Sequence, residues 1–222
     1  MTEHSDNENV AQKRILIAVD GPGASGKGTI ARALAEHFKR PLMDTGLLYR
    51  AVALNLWRWG GDLSSEFEAL RACDVAAVDP DDPELRSEPI STIASRVSAY
   101  PSVRAALLDR QQQFAQQPGG AVLDGRDIGS VVAPDADAKL YVTATAEVRA
   151  QRRVRELLGR GLPAHYDDVL TDIRARDERD SGRTAAPLLQ AADAALLDTT
   201  QLDVEQAIAA AIRLVEERLA NG

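Results

Sequence analysis

The 222-residue chain reads as an α/β domain, a five-stranded parallel sheet in a three-layer α/β/α arrangement. Three observations predict it. Short apolar runs alternate with segments of helical spacing along the chain, the pattern of a parallel sheet with crossover helices. The first run leads directly into a Gly-rich turn and then a helix. The length lets a folded chain bury roughly 70% of its unfolded surface, so a core forms without staples. Only nine aromatic residues occur, so that core must rest on Ala, Leu, Val and Ile.

The elements follow in order. Residues 14–19, Arg-Ile-Leu-Ile-Ala-Val, form a buried strand bounded by polar sequence and Gly. Ile30, Leu34 and Phe38 mark one face of the helix after the Gly-rich turn. Leu42-Met43 is a short second strand. Gly46 to Trp59 is helical and stops at Gly60-Gly61. Ser65 and Glu68 have the spacing of a capping box. Residues 79–89, with three prolines and five acids, read as a loop or hinge. Ile90 to Ala99 is a helix, and another starts at Pro101, a residue suited to a first turn. Pro118-Gly119-Gly120 ends it. Residues 121–124 and 139–143 are strands, Glu147 to Leu158 is helical, and Gly159 to Pro163 is a turn. A helix rich in Arg and Asp spans 167–180. Ala194 to Leu197 is the fifth strand, and Asp203 with Gln206 predicts a capping box on the last helix.

Charge and composition exclude several classes. The net charge is −8, against general nucleic-acid binding, which needs a basic footprint. One cysteine, Cys73, excludes an internal disulfide and a Cys-based zinc cluster. Three scattered histidines argue against a His-rich metal site or a triad enzyme. No apolar run approaches the roughly 20 residues that span a bilayer, and residues 1–12 are polar without a signal-peptide core, so a cytoplasmic location and a disordered tail are expected. The cations are unevenly used. Only four are Lys; of the 22 Arg, nine lie between Arg149 and Arg183, with seven acids among them. Charge alone favours a salt-bridged helical face there. Arg is also the residue that grips phosphate with two parallel hydrogen bonds.

The turn after the first strand is Gly21-Pro22-Gly23-Ala24-Ser25-Gly26-Lys27-Gly28-Thr29, a G-x-x-x-x-G-K phosphate loop between strand and helix. Its glycines let backbone N–H groups turn around an anion, and the helix N-terminus adds positive charge. Gly28 stands where the common motif has Ser or Thr, and the hydroxyl comes one residue later, at Thr29. Asp124, in Asp124-Gly125-Arg126-Asp127, is either the strand-end acid on the metal side or a plain turn residue. Asp44-Thr45-Gly46 to Tyr49-Arg50 opens the helix after the second strand.

These segments together resemble bacterial cytidylate kinase, of the nucleoside monophosphate kinase group of P-loop proteins. Ala94-Ser95 through Pro101 to Arg104, Arg149 to Arg153, Arg176 to Arg183 followed by Ala186-Pro187-Leu188, and Asp198-Thr199-Thr200 are similar to further family segments, in family order, over about residues 14–218. The resemblance implies a P-loop kinase with an acceptor-binding lobe (45–117), a helical lid (147–183) and a core of 13–44, 118–146 and 184–222. It implies γ-phosphate transfer from ATP, with Mg²⁺, to CMP or dCMP, by a monomer. Gly21 to Thr29 and Arg152 would bind ATP. Thr45, Arg50, Ser95, Arg104, Arg126, Asp127, Arg176, Asp180 and Arg183 would bind the acceptor. Within that set Asp127, Arg104 and Ser95 read cytosine, Arg50, Arg126 and Arg183 grip phosphate, and Asp180 with Arg176 lies at the ribose. Lys27, Arg126, Arg152 and Arg183 would carry the transfer. No direct metal ligand is assigned, Asp124 and Thr29 being candidates through water, with Mg²⁺ held largely by phosphates. The residues suit these roles: cytosine N4 is a donor that a carboxylate accepts from, and an anionic phosphate nucleophile needs no strong base.

The chain departs from the family in one place. The segment from Gly60 to Ile90 is short and has no period-two strands where relatives carry a small antiparallel sheet, which bears on the choice between cytosine and uracil and between ribose and deoxyribose. Two other readings remain at this stage, an adenylate-type P-loop kinase and a nucleotide-binding switch without transfer activity. Asp127 with Arg104 speaks against the first, and the Asp44–Arg50 segment and the Arg cluster speak against the second.

Overall fold

The computed structural model describes residues 14–221; the expected tail, 1–12, lies outside them. Five strands form one sheet: β1 (Ile15–Asp20), β2 (Leu42–Asp44), β3 (Gly120–Gly125), β4 (Ala138–Thr143) and β5 (Ala195–Asp198). Every pairing is parallel, in the order β2-β3-β1-β4-β5. β1 sits at the centre and its last five residues are buried, which is why it reads as a continuous apolar run. Parallel strands send their C-terminal ends to one edge, where ligands of such sheets bind. Here that edge carries Asp20, Asp44, Asp124 and Asp198.

The helices are α1 (Lys27–Phe38), α2 (Thr45–Trp59), α3 (Glu66–Arg71), α4 (Glu88–Val97), α5 (Pro101–Ala115), α6 (Ala146–Gly159), α7 (Tyr166–Ser181) and α8 (Val204–Ala220). One face of the sheet packs Ile17, Val19, Leu140 and Val142 against Ile30 and Leu34 of α1 and Ala211 and Val215 of α8. The other face packs Leu16, Ala18 and Leu123 against Ala115 and Leu108 of α5 and against Ile128 and Val132. A third core lies away from the sheet: Val52, Leu54 and Leu56 of α2, Ala69, Leu85, Ile93 and Val97, closed by Val103 and Leu107 of α5. α5 thus joins two cores. As the short Gly60–Ile90 segment predicts, no strand lies between Asp44 and Gly120 among the described residues.

Several local expectations are refined. The acidic 79–89 stretch contains a 3₁₀ turn, Pro83–Arg86, and α4 begins inside it at Glu88 because Pro89 sits in the first turn, where its missing N–H costs nothing. The Ser65 box is half formed. Ser65 Oγ accepts from Glu68 N at 3.3 Å, but the Glu68 carboxylate accepts from Asp62 N at 2.6 Å instead of from Ser65. Ser65 N bonds to Asp62 O and needs no carboxylate. A π-helical turn, Ile128–Val132, follows β3 where no helix was predicted. No helix of the described residues is long and apolar enough to cross a membrane.

The box on α8 is complete: Asp203 Oδ1 accepts from Gln206 N at 2.8 Å, and Gln206 Oε1 from Asp203 N at 3.1 Å. Both groups are exposed. Asp203→Ala should lose about 1 kcal/mol of stability, roughly 2–4 °C in melting temperature for a chain of this size, with catalytic rate unchanged. Calorimetry and an activity assay on the same preparation check both halves.

Candidate active site

The loop after β1 turns on residues whose geometry few side chains accept. Gly21 has φ of 149° and a Cβ there would lie 2.0 Å from Val142 O; Gly26 has φ of 92° and directly precedes α1. α1 therefore starts with its N–H groups facing the strand-end edge. Lys27, in its first turn, reaches across to Asp124 at 3.1 Å. Burial pushes the Lys27 pKa down, aided by Arg126, and pushes the Asp124 pKa up; each is the other's nearest compensating charge. Gly28 leaves the space: a Cβ there would meet Asp124 Oδ2 at 3.3 Å.

A cavity of about 370 Å³ opens over this edge. Its lining joins Gly23, Ala24, Lys27 and Gly28 of the loop to Thr45, Arg50, Ser95, Arg104, Arg126, Asp127, Arg176, Asp180 and Arg183. All nine acceptor residues expected from the sequence thus line one cavity. Gly21, Pro22 and Ser25 are buried beneath the loop, while Gly26 and Thr29 are exposed and do not line the cavity. The two halves touch: a Cβ on Gly23 would lie 3.6 Å from the Arg126 guanidinium and 3.7 Å from Arg176 Cδ.

Asp180 on α7 organises the cations. It is 1% exposed, and its Oδ2 accepts from Arg126 Nε at 3.1 Å and lies 3.8 Å from Arg176 Nε, while its Oδ1 pairs closely with Arg183. Burial alone would raise its pKa; Arg126, Arg183 and Arg176 outweigh burial and hold it below the usual 3.8. Burial and Arg126 push Arg176 down to about 10. The buried Nε–H groups of Arg176 and Arg183 donate to no partner and so remain free to do so.

Beside this cluster, Arg104 and Asp127 form a close buried pair. Arg104 also donates to Ser98 O at 3.2 Å and stacks over the Tyr49 ring, 5.5 Å from its centroid. Thr45 donates its hydroxyl to Asp124 O at 2.8 Å. Arg50 donates to Leu85 O at 2.9 Å and Ser91 Oγ at 3.1 Å, which aims it from α2 toward α4. Arg179 lies at the cavity rim near Ser95, 3.5 Å away.

Arg152 stands apart. It does not line the cavity. Its guanidinium donates to Thr199 O at 2.6 Å, Thr199 Oγ1 at 2.9 Å and Ser25 O at 3.3 Å, bracing the loop from the β5 side. Arg149 and Arg153, four apart on α6, take the cavity face instead. Arg149 is a residue that the sequence reading quoted but did not assign. It is 5% exposed, donates to Gly23 O at 3.2 Å, and grips Asp177 with two bonds of 3.0 and 2.6 Å. Arg153 pairs with Glu88 on α4. Asp44 and Tyr49 also line the cavity, both within the Asp44–Arg50 segment. The Arg-rich window therefore divides. Arg149, Arg153, Arg176, Arg179 and Arg183 face the cavity, whereas Arg174 and Arg160 make the surface pairs with Glu147 and Glu156 that charge alone suggested.

Replacing Asp180 by Asn leaves three guanidinium groups without their buried counter-charge. Breaking such an arrangement costs about 3–5 kcal/mol. A stability curve of Asp180→Asn against wild type at pH 7 should show that loss, and inorganic phosphate should recover part of it by supplying the missing charge. The pKa of Asp180 is depressed in the fold, so its contribution is present above the unfolded value of 3.8 and is lost as pH falls through the folded value. The acid limb of the wild-type stability curve should accordingly be steeper than the variant's.

The cytidylate kinase family model matches residues 17–217. A cytidylate kinase from Xanthobacter autotrophicus is 58% identical over 209 residues, covering 93% of this chain and all of that one. One from Methylocella silvestris is 57% identical over 203 residues, covering 91% and 94%. A sugar kinase structure from Janibacter shares the fold, with TM-score 0.51 at 15% identity over 93% of this chain and 97% of that one. With relatives this similar along nearly its whole length, and with every acceptor residue expected of them gathered over the phosphate loop, the chain belongs to the cytidylate kinase family, enzymes that phosphorylate CMP and dCMP with ATP.

Proposed function

We propose that the Gly21–Thr29 loop holds the phosphates of ATP while Arg126, Arg183 and Arg50 hold the phosphate of CMP or dCMP in line with them. The observation that carries this reading is the approach of Arg126 and Arg176 to Gly23, which brings the acceptor cations against the donor loop. Phosphoryl transfer has a loose transition state, so positioning and charge do the catalytic work. Lys27 reaches the β- and γ-phosphates from the first turn of α1. Arg126 and Arg183 neutralise the charge that develops between donor and acceptor oxygens. Arg152 acts from behind, keeping the loop in shape near the donor; a Cβ on Gly26 would lie 4.0 Å from its guanidinium. The acceptor's phosphate oxygen is already anionic, which fits a cavity lined without histidine.

Asp127 accepts from cytosine N4, Arg104 donates to N3 and O2, and Ser95 completes that edge. Asp180 and Arg176 take the ribose. Residues 45–117 act as the acceptor lobe, 147–183 as the lid, and 13–44, 118–146 and 184–222 as the core. A monomer in the cytoplasm accompanies this reading. The donor set suits Mg²⁺: Asp44 and Asp124, both cavity-lining carboxylates, are hard oxygen ligands, and no three-residue cluster of metal ligands occurs among the described residues. Two carboxylates, directly or through water, with phosphate oxygens would hold it, and Thr29 lies on the donor side. When bound, Mg²⁺ supplies positive charge to the transferring phosphates.

An acceptor panel of CMP, dCMP, UMP and AMP with ATP and Mg²⁺ tests the reading, with ADP production as readout. CMP or dCMP should be the best acceptor; AMP as a far better one would overturn it. Lys27→Met should lower kcat by about 10²–10³, the order seen when one transition-state donor is removed. Asp127→Ala should relax the preference for CMP over UMP by about 10-fold or more, since one base contact is worth about 1–3 kcal/mol, with little change in KM for ATP.

A further inference from the structure

Asp20 is the last residue of β1, directly before the phosphate loop, yet it does not line the cavity. It is 6% exposed, and no cation pairs with it among the described residues. Burial pushes its pKa up to about 6, against two backbone hydrogen bonds that lower it. A buried carboxylate is costly unless hydrogen bonds or a counter-charge compensate it. Those bonds go to a distant part of the chain: Oδ1 accepts from Ile128 N and Oδ2 from Gly129 N, each at 2.8 Å.

The placement of these bonds is informative. The backbone of Asp20 is registered opposite Gly125 in the sheet. Its side chain holds Ile128 and Gly129. One residue therefore fixes the chain on both sides of Arg126 and Asp127, the only two residues between the fixed points. The bond to Ile128 N sets the peptide plane that follows Asp127 directly. Three bonds inside the π turn, Val131 N and Val132 N to Asp127 O and Ala133 N to Ile128 O, extend that hold. A Cβ on Gly125 would strike Ile128 at 2.6 Å and Thr45 Oγ1 at 2.8 Å, so the turn has little slack.

We propose that Asp20 is a positioning residue for acceptor recognition: its carboxylate clamps the turn after β3 so that Asp127 presents to the base and Arg126 to the phosphate. The assignment rests on the reading of Asp127 as the base acceptor. Asparagine keeps the shape of Asp20 but offers one acceptor and sets a donor against the second N–H. Misplacing a recognition group by about 1 Å can lower rates by about 100-fold. In Asp20→Asn, kcat/KM for CMP should fall by about 10- to 100-fold and the CMP/UMP ratio by about 10-fold, with KM for ATP within about twofold of wild type. A purely structural role predicts a lower melting temperature with the ratio intact, because the ratio of two acceptors in one preparation does not depend on the folded fraction.

The test measures that ratio for wild type, Asp20→Asn, Asp20→Ala and Asp127→Ala. A lowered ratio in both Asp20 variants supports the clamp. An unchanged ratio in them, with a lowered one in Asp127→Ala, overturns the clamp and keeps the base assignment. An unchanged ratio in Asp127→Ala overturns the base assignment itself. Hydrogen exchange on the wild-type full chain is independent of variant folding: slow exchange of the Ile128 and Gly129 amides supports the clamp, and exchange as fast as in exposed loops overturns it.

Discussion

The structure depends on keeping several like charges together in a buried place. Arg126, Arg176 and Arg183 converge from a strand-end turn and from α7 and the residues after it, and three guanidinium groups at that spacing repel one another. One carboxylate, Asp180, lies among all three and is almost wholly buried. Low local dielectric strengthens both the repulsion and the pairing. The arrangement therefore holds only while that carboxylate is charged and in place. α7 carries Asp180 and Arg176 on successive turns, and Leu188 N donates to Asp180 O at 2.8 Å. The path of the chain from α7 toward β5 is thus tied to the same residue.

The parallel sheet supplies what the arginines face. Parallel strands end at one edge, and four of these five bring an aspartate there. Their fates differ with their surroundings. Asp124 meets Lys27; Asp20 meets two backbone N–H groups; Asp44 faces the cavity. Asp198 turns outward and accepts from Thr200 N and Oγ1. An aspartate at a strand end is one chemical choice with four structural outcomes, three of them set by the donor nearest to it. Loop backbone, Lys27 and Arg cluster then surround the edge from the other side.

How much of this is legible in the chain depends on how far apart the partners lie. The strands and most helices are legible because their signals are local: an apolar run, a glycine, a proline in a first turn. Asp203 and Gln206 form their box because nothing nearby competes, whereas Asp62 N takes the carboxylate that Ser65 would have used. The phosphate loop is legible for the same reason, since nine contiguous residues carry it. The roles of Arg149 and Asp20 are not, because Gly23 lies 126 residues from Arg149 and Ile128 lies 108 residues from Asp20. Arg152 is likewise placed by a distant partner. Its motif does not say which side of the phosphate loop it takes, and Thr199, 47 residues on, holds it on the β5 side. The π turn after β3 has no propensity signature, being drawn out by Asp20.

The balance of charge in the cavity bears on how tightly substrates can be held. Its lining includes nine cations, Lys27 and eight arginines, and eight acids. Most of the cations are already engaged with protein carboxylates: Lys27 with Asp124, Arg104 with Asp127, Arg149 with Asp177, Arg153 with Glu88, and three arginines with Asp180. A nucleotide entering such a site exchanges or shares pairs rather than forming all of them anew. Taking a cation from its buried carboxylate costs about 3–5 kcal/mol unless another charge replaces it, which offsets part of each new phosphate contact. The donors left over, such as the buried Nε atoms of Arg176 and Arg183, can form new bonds at no such cost. For an enzyme that must release a product carrying one more phosphate than its acceptor, that is the useful arrangement. Strong uniform binding would lower KM without raising kcat. The acidic excess of the chain as a whole, −8, lies outside this nearly balanced cavity and does not oppose it at close range.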